Sequence, residues 1–140
     1  MTQEQRLYFM IRYLLDERKE YQDIVQPSGL AEKRRLLRSL MNVRPPVPVS
    51  EDFLSVQDAY LGERLAERGV TSLNDLIPIP PDLYLWQGDI TTLEVGTIVN
   101  AANSQMMGCF VPCHGCIDNA IHTYAGVQLR LECARIIAEQ

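Results

Sequence analysis

Residues 88–104 read GDITTLEVGTIVNAANS, a stretch in which apolar runs give way to small and polar residues at their C-terminal ends. Just before it, Leu83-Tyr84-Leu85-Trp86 has the apolar, aromatic-rich composition of a strand, and Thr97-Ile98-Val99 predicts a second. Gly88 permits a tight turn, so the Asp89 carboxylate stands where the first strand ends and can accept from an amino group or hydroxyl; an Asx turn or a helix cap suits the same spacing equally. Asn100 and Asn103 flank two alanines after the second strand. Small side chains there let a ligand approach the backbone, although one Asn in a loop is ordinarily a turn residue. From Ile117 to about Ala138 the periodicity is helical, with a break or a close approach at Gly126. Strand, loop, strand, loop, helix is the opening of an α/β layer fold, whose ligands sit at the carboxyl ends of the strands.

Upstream the pattern is helical. Leu7, Met10, Ile11, Leu14 and Leu15 form one apolar stripe on a helix ending before Pro27. Leu30 to Met41 places Leu36, Leu37, Leu40 and Met41 on one side and Lys33, Arg34, Arg35 and Arg38 largely on the other, which reads as a solvated basic face. RPPVPVS (44–50) is an extended connector. Ser50 then caps a helix carrying Phe53, Leu54, Tyr60, Leu61 and Leu65 that stops at Gly69. Residues 1–77 are thus expected to be a helical N-terminal extension without a catalytic constellation, set off by Pro78, Pro80 and Pro81.

The 140 residues carry 13 basic and 18 acidic side chains, a formal charge of −5, which argues against a nucleic-acid binder working through a broad basic surface. The only cations after residue 80 are Arg130 and Arg135, so a phosphate bound there is expected to rely on backbone N–H groups and helix N-termini. No apolar run reaches the roughly 18–20 residues of a membrane span, and charges interrupt the N-terminus where a signal peptide would be apolar. The expected compartment is the cytoplasm, where cysteines read as metal ligands or redox groups rather than as disulfides. All four cysteines and both histidines fall within the last 32 residues.

GDITTLEVGTIVNAANS resembles the signature of macrodomains, the ADP-ribose-binding α/β/α family. Most macrodomains follow the paired asparagines with a glycine run. Here the sequence is instead Met107-Gly108-Cys109-Phe110-Val111-Pro112-Cys113-His114-Gly115-Cys116-Ile117-Asp118-Asn119-Ala120-Ile121-His122, which resembles the zinc-dependent macrodomains. That resemblance implies Cys109, His114 and Cys116 as Zn2+ ligands and an Asp-x-Ala-Ile-His segment at Asp118 to His122. Zinc accepts thiolates and imidazole, and three protein ligands with one open position is the usual catalytic arrangement. Four donors including Cys113 would close a structural site, but neighbouring Cys113 and His114 reaching one ion would strain a tight loop, which favours three. A Cys113/Cys116 thiol–disulfide site before a helix is the competing reading; Ile117 in place of His excludes haem attachment. His122 reads as a core histidine on an apolar helix face, and Asp118, from its family position, as functional.

The resemblance implies a hydrolase that removes ADP-ribose from mono-ADP-ribosylated proteins with zinc assistance. It further implies a sirtuin-class ADP-ribosyltransferase and a lipoyl-carrier-type protein as partners, with no nucleic acid and no membrane. In that reading Asp89 and the Ile90 backbone select adenine, Asn103 positions the distal ribose, and Asp118 binds ribose or phosphate-side groups or assists the water. A non-catalytic ADP-ribose-binding module would use the same residues without depending on metal. A macrodomain sheet needs about six strands and a second glycine-rich phosphate loop, so residues 78–140 are expected to be the first part of a zinc-containing macrodomain, truncated, and the 140-residue chain a poor hydrolase.

Overall fold

The computed structural model describes residues 1–140. Thr2 caps helix α1 (Gln3–Asp16): its hydroxyl accepts from the Gln5 N–H, and the Gln5 side chain accepts from the Thr2 N–H in return. The apolar stripe of α1 buries Leu7, Met10, Ile11, Leu14 and Leu15 against α2 (Leu30–Val43) and α3 (Glu51–Arg68). From those helices Leu37, Leu40, Met41, Phe53 and Tyr60 complete the core. Each large apolar side chain buried in this way contributes about 1.5–3 kcal/mol. Ser50 accepts from the Phe53 N–H to start α3, and Gly69 ends it at φ 83°, as expected from the sequence. Between α2 and α3 the proline connector is fixed by Arg44, which donates to the Val47 carbonyl at 2.7 Å and forms a two-bond pair with Glu17.

The strands are shorter than the sequence suggests and lie partly elsewhere. β1 (Thr71–Ser72) runs parallel to β4 (Leu93–Glu94), and β2 (Pro78–Ile79) pairs antiparallel with β3 (Leu83–Tyr84). Of the first predicted strand only Leu83 and Tyr84 pair, with Leu85 and Trp86 outside β3, and Thr97-Ile98-Val99 forms no strand. Backbone N–H and C=O groups make a ladder only where a neighbouring strand accepts them, and here the ladder partner of Thr71–Ser72 is Leu93–Glu94.

The helical stretch after residue 116 divides at Gly126, whose φ of 83° ends α4 (Ile117–Ala125) and precedes α5 (Val127–Ala138). Both helices rest on the N-terminal layer. Val127 enters its core, the buried Gln57 of α3 accepts from the Val127 N–H at 2.9 Å, and Asn42 of α2 donates to Thr123 at 3.0 Å. The architecture is mixed α/β, with five helices and two small ladders. No helix is long and apolar enough to cross a membrane.

Candidate metal centre

Between β4 and α4 the chain runs through residues 95–116 without regular structure, so side chains must hold it. Arg130 of α5, 5% exposed, donates from Nε to the Met107 carbonyl at 2.8 Å and from Nη2 to that of Cys109 at 3.4 Å. Its Nη1 reaches the Met41, Asn42 and Arg44 carbonyls at the end of α2, and its guanidinium lies 4.0 Å from the Phe110 ring centroid. Arg38 of α2 donates to the His114 carbonyl at 3.1 Å and to Asn119 Oδ1 at 2.7 Å, while Asn42 Oδ1 accepts from the Cys113 N–H at 2.9 Å. Gly108, at φ 80°, packs so closely on His122 that a Cβ there would stand 2.7 Å from the ring.

Held this way, the loop brings Cys109, His114 and Cys116 together, their ligand atoms all within 4.8 Å of one another. Cys109 Sγ and His114 Nδ1 are 3.7 Å apart. Two donors at zinc bond lengths of about 2.3 and 2.0–2.1 Å in a tetrahedron would be ~3.6 Å apart, so the donor set fits a metal ion. Cys116 caps α4, its sulfur accepting from the Asn119 N–H at 3.4 Å. Cys113 is turned elsewhere. At φ 53° its sulfur lies 3.2 Å from Ser39 Oγ and donates to the Arg35 carbonyl. The two sulfurs of the Cys-x-x-Cys thus have different partners, and all four cysteines are free.

Behind the donors lies a buried polar chain. Asn100 donates from Nδ2 to Asp118 Oδ1 at 2.8 Å, and His122 Nε2 stands 3.6 Å from the same oxygen. Asn100 Oδ1 and His122 Nδ1 are buried without partners. Burial lowers the His122 pKa below its usual value, with Asp118 opposing and Arg130 reinforcing the shift.

The other expected residues stand differently. Asp89 caps a 3-10 turn (Ile90–Thr92), accepting from the Thr91 N–H and hydroxyl, and pairs with Arg68 at 2.9 Å. Partial burial raises its pKa, but the Thr91 bonds and Arg68 outweigh this and hold it low. Ile90 borders a shallow recess of about 280 Å³ with Leu93, Ile98, Ile121 and Tyr124. Asn103 is exposed, and its Oδ1 accepts from the Gln105 N–H at 3.0 Å in an Asx turn. It is Asn100 that reaches Asp118. Sequence reasoning also missed Arg38, Asn42, Arg68 and Arg130. Of these only Arg130 left a signal, as one of the two cations after residue 80. The basic face of α2 is solvated only in part: Lys33 pairs with Glu4 and Arg34 with Glu67, but Arg38 turns to the metal loop.

The Macro domain family model matches residues 99–140. A protein-ADP-ribose hydrolase of Treponema medium is 55% identical over 144 residues, covering 100% of this chain and 55% of its own length. One of Staphylococcus aureus (strain Mu50) is 51% identical over 136 residues, 96% of this chain and 51% of its own. A probable bifunctional ADP-ribose hydrolase/ADP-ribosyltransferase of Fusarium oxysporum f. sp. cubense is 45% identical over 114 residues, 74% of this chain and 19% of its own. The chain spans about half the length of the curated hydrolases that it matches. Cys109, His114, Cys116 and α4 all lie inside the segment, residues 99–140, that matches the Macro domain family.

Proposed function

We propose that the protein removes ADP-ribose from mono-ADP-ribosylated proteins with the help of a zinc ion held by Cys109, His114 and Cys116. Residues 78–140 would be the first part of the zinc-containing macrodomain and residues 1–77 a helical layer beside it. The observation that carries this reading is the convergence of two cysteines and one histidine, but not Cys113, within the segment matched to the family. The names of the two bacterial relatives support the activity. A sirtuin-class transferase and a lipoyl-carrier-type protein as partners are our proposal; the fungal relative's name joins a hydrolase and a transferase in one protein. A cytoplasmic setting keeps the three donors reduced.

When bound, zinc supplies Lewis acidity and a water of lowered pKa at the scissile glycosidic bond. Asp118, oriented by Asn100 and His122, holds a ribose hydroxyl or the attacking water. Asn103 exchanges its turn bond to Gln105 for the distal ribose. Asp89 and the Ile90 backbone select adenine, which requires the Arg68 pair to yield, because both carboxylate oxygens are engaged without ligand.

Metal analysis of the purified protein tests the ligand set. We expect about one zinc per chain, lost in Cys109→Ala, His114→Ala or Cys116→Ala and kept in Cys113→Ala. Loss in Cys113→Ala with retention in Cys109→Ala would overturn the assignment. In a release assay, chelation should suppress cleavage more than ADP-ribose binding. Cleavage that survives complete metal removal would end the zinc mechanism, and metal-independent binding without cleavage would identify a reader.

A further inference from the structure

Four arginines, Arg34, Arg35 and Arg38 of α2 and Arg64 of α3, line a recess of about 340 Å³ whose lining includes none of Cys109, His114 and Cys116. A single carboxylate, Glu67, pairs with two of them, Arg34 and Arg64. Around one cavity of a protein whose net charge is −5, this leaves an excess of positive charge. Two of the guanidiniums have unused capacity. Arg34 Nε is buried without a partner, and the exposed Arg35 makes no side-chain hydrogen bond or ion pair. Leu37, Met41 and Leu61 provide apolar wall, and the Tyr60 and Tyr124 rings add aromatic surface.

Guanidinium forks match the geometry of phosphate oxygens, and several around one concavity leave an anion few other places to sit. The apolar walls would be wasted on a bare inorganic ion, and a volume above about 300 Å³ is in the range of small-molecule sites. A concave recess also suits a compact ligand better than an extended acidic peptide. We propose that this recess binds a small phosphate ester bearing an aromatic or aliphatic group, at a site that meets the metal loop at Cys113 but takes in none of its three donors. On α2 alone Arg34, Arg35 and Arg38 read as part of a solvated face; α3 supplies the fourth arginine, and the tyrosines come from α3 and α4.

Calorimetric titration of phenyl phosphate and of inorganic phosphate into the metal-free chain tests the site. Phenyl phosphate should bind one per chain, about tenfold tighter than phosphate because its ring meets the apolar wall. Raising salt from about 50 to about 300 mM should weaken it about fivefold. Arg35→Gln, at an exposed position without partners, should weaken it about fivefold, and Arg35→Gln/Arg64→Gln further, with unchanged circular dichroism. A Cys109→Ala/Cys116→Ala variant should bind as the parent does. No saturable binding, equal affinity for the two probes, or loss in the cysteine variant with retention in the arginine variants would each overturn the proposal. Tighter binding of a hexaglutamate peptide than of phenyl phosphate would also overturn it, in favour of a peptide surface.

Discussion

Cys113 and His122 mark the limits of what one residue's neighbours in sequence reveal. That Cys113 and His114 cannot easily share one ion follows from their adjacency alone. That Cys113 is instead turned to Ser39 and Arg35 depends on where α2 lies. His122 is read from the apolar face of its helix as a core residue, and it is buried. Its partner Asp118 and the orphaned Nδ1 come from packing that the face does not specify. The long cations were least legible, because an arginine's reach lets it serve an element far away in sequence. A pH prediction follows from His122. Its folded pKa lies below the ordinary value near 6.5, chiefly through burial, so the unfolded chain binds the proton more readily. Stability from this residue is therefore intact above about pH 6.5 and lost as pH falls from there through the folded pKa. Denaturation midpoints should drop between about pH 7 and pH 5, and His122→Asn should flatten that slope. An unchanged slope would show that other groups set it.

At the scale of elements, helices were legible and strands were not. A helix closes its own hydrogen bonds, so the caps at Thr2 and Ser50, the stops at Gly69 and Gly126 and the apolar stripes fix it locally. A strand is decided by its partner, which is why Leu93–Glu94 pairs while the more apolar Thr97–Val99 does not. The junction at Gly126 offers a test. Its φ of 83° disfavours a side chain, and a Cβ there would stand 2.5 Å from Gln57 Nε2, on the residue that accepts from the Val127 N–H. Gly126→Ala should cost about 1–3 kcal/mol in chemical denaturation. A milder loss would mean that Gln57 moves aside freely. Gly108→Ala should instead act on the metal: a Cβ against the His122 ring displaces the loop next to Cys109, and zinc affinity measured by chelator competition should fall about tenfold or more.

The whole molecule is unevenly covered. The N-terminal helices bury a core, with Tyr8 54%, Val25 87% and Leu30 50% exposed at its margins, and between α3 and α4 Ile77 is 88%, Leu85 83% and Val99 86% exposed. Surface of this kind associates. The chain should bind anilinonaphthalene sulfonate and sediment with rising apparent mass as concentration increases, and Leu85→Lys/Val99→Lys should reduce both effects. Arg130 joins this lightly covered part to the helical layer. Arg130→Met leaves carbonyls at the end of α2 and in the metal loop without their donor, and should cost about 3 kcal/mol or more in denaturation, with zinc affinity falling alongside. The same clamp imposes an order on biosynthesis. A ribosome delivers Cys109, His114 and Cys116 before it delivers Arg130, so the nascent chain holds its three donors for a time without the residue that frames them. During that interval, until α5 leaves the exit tunnel, the thiols are at their most open to oxidants and to the wrong metal.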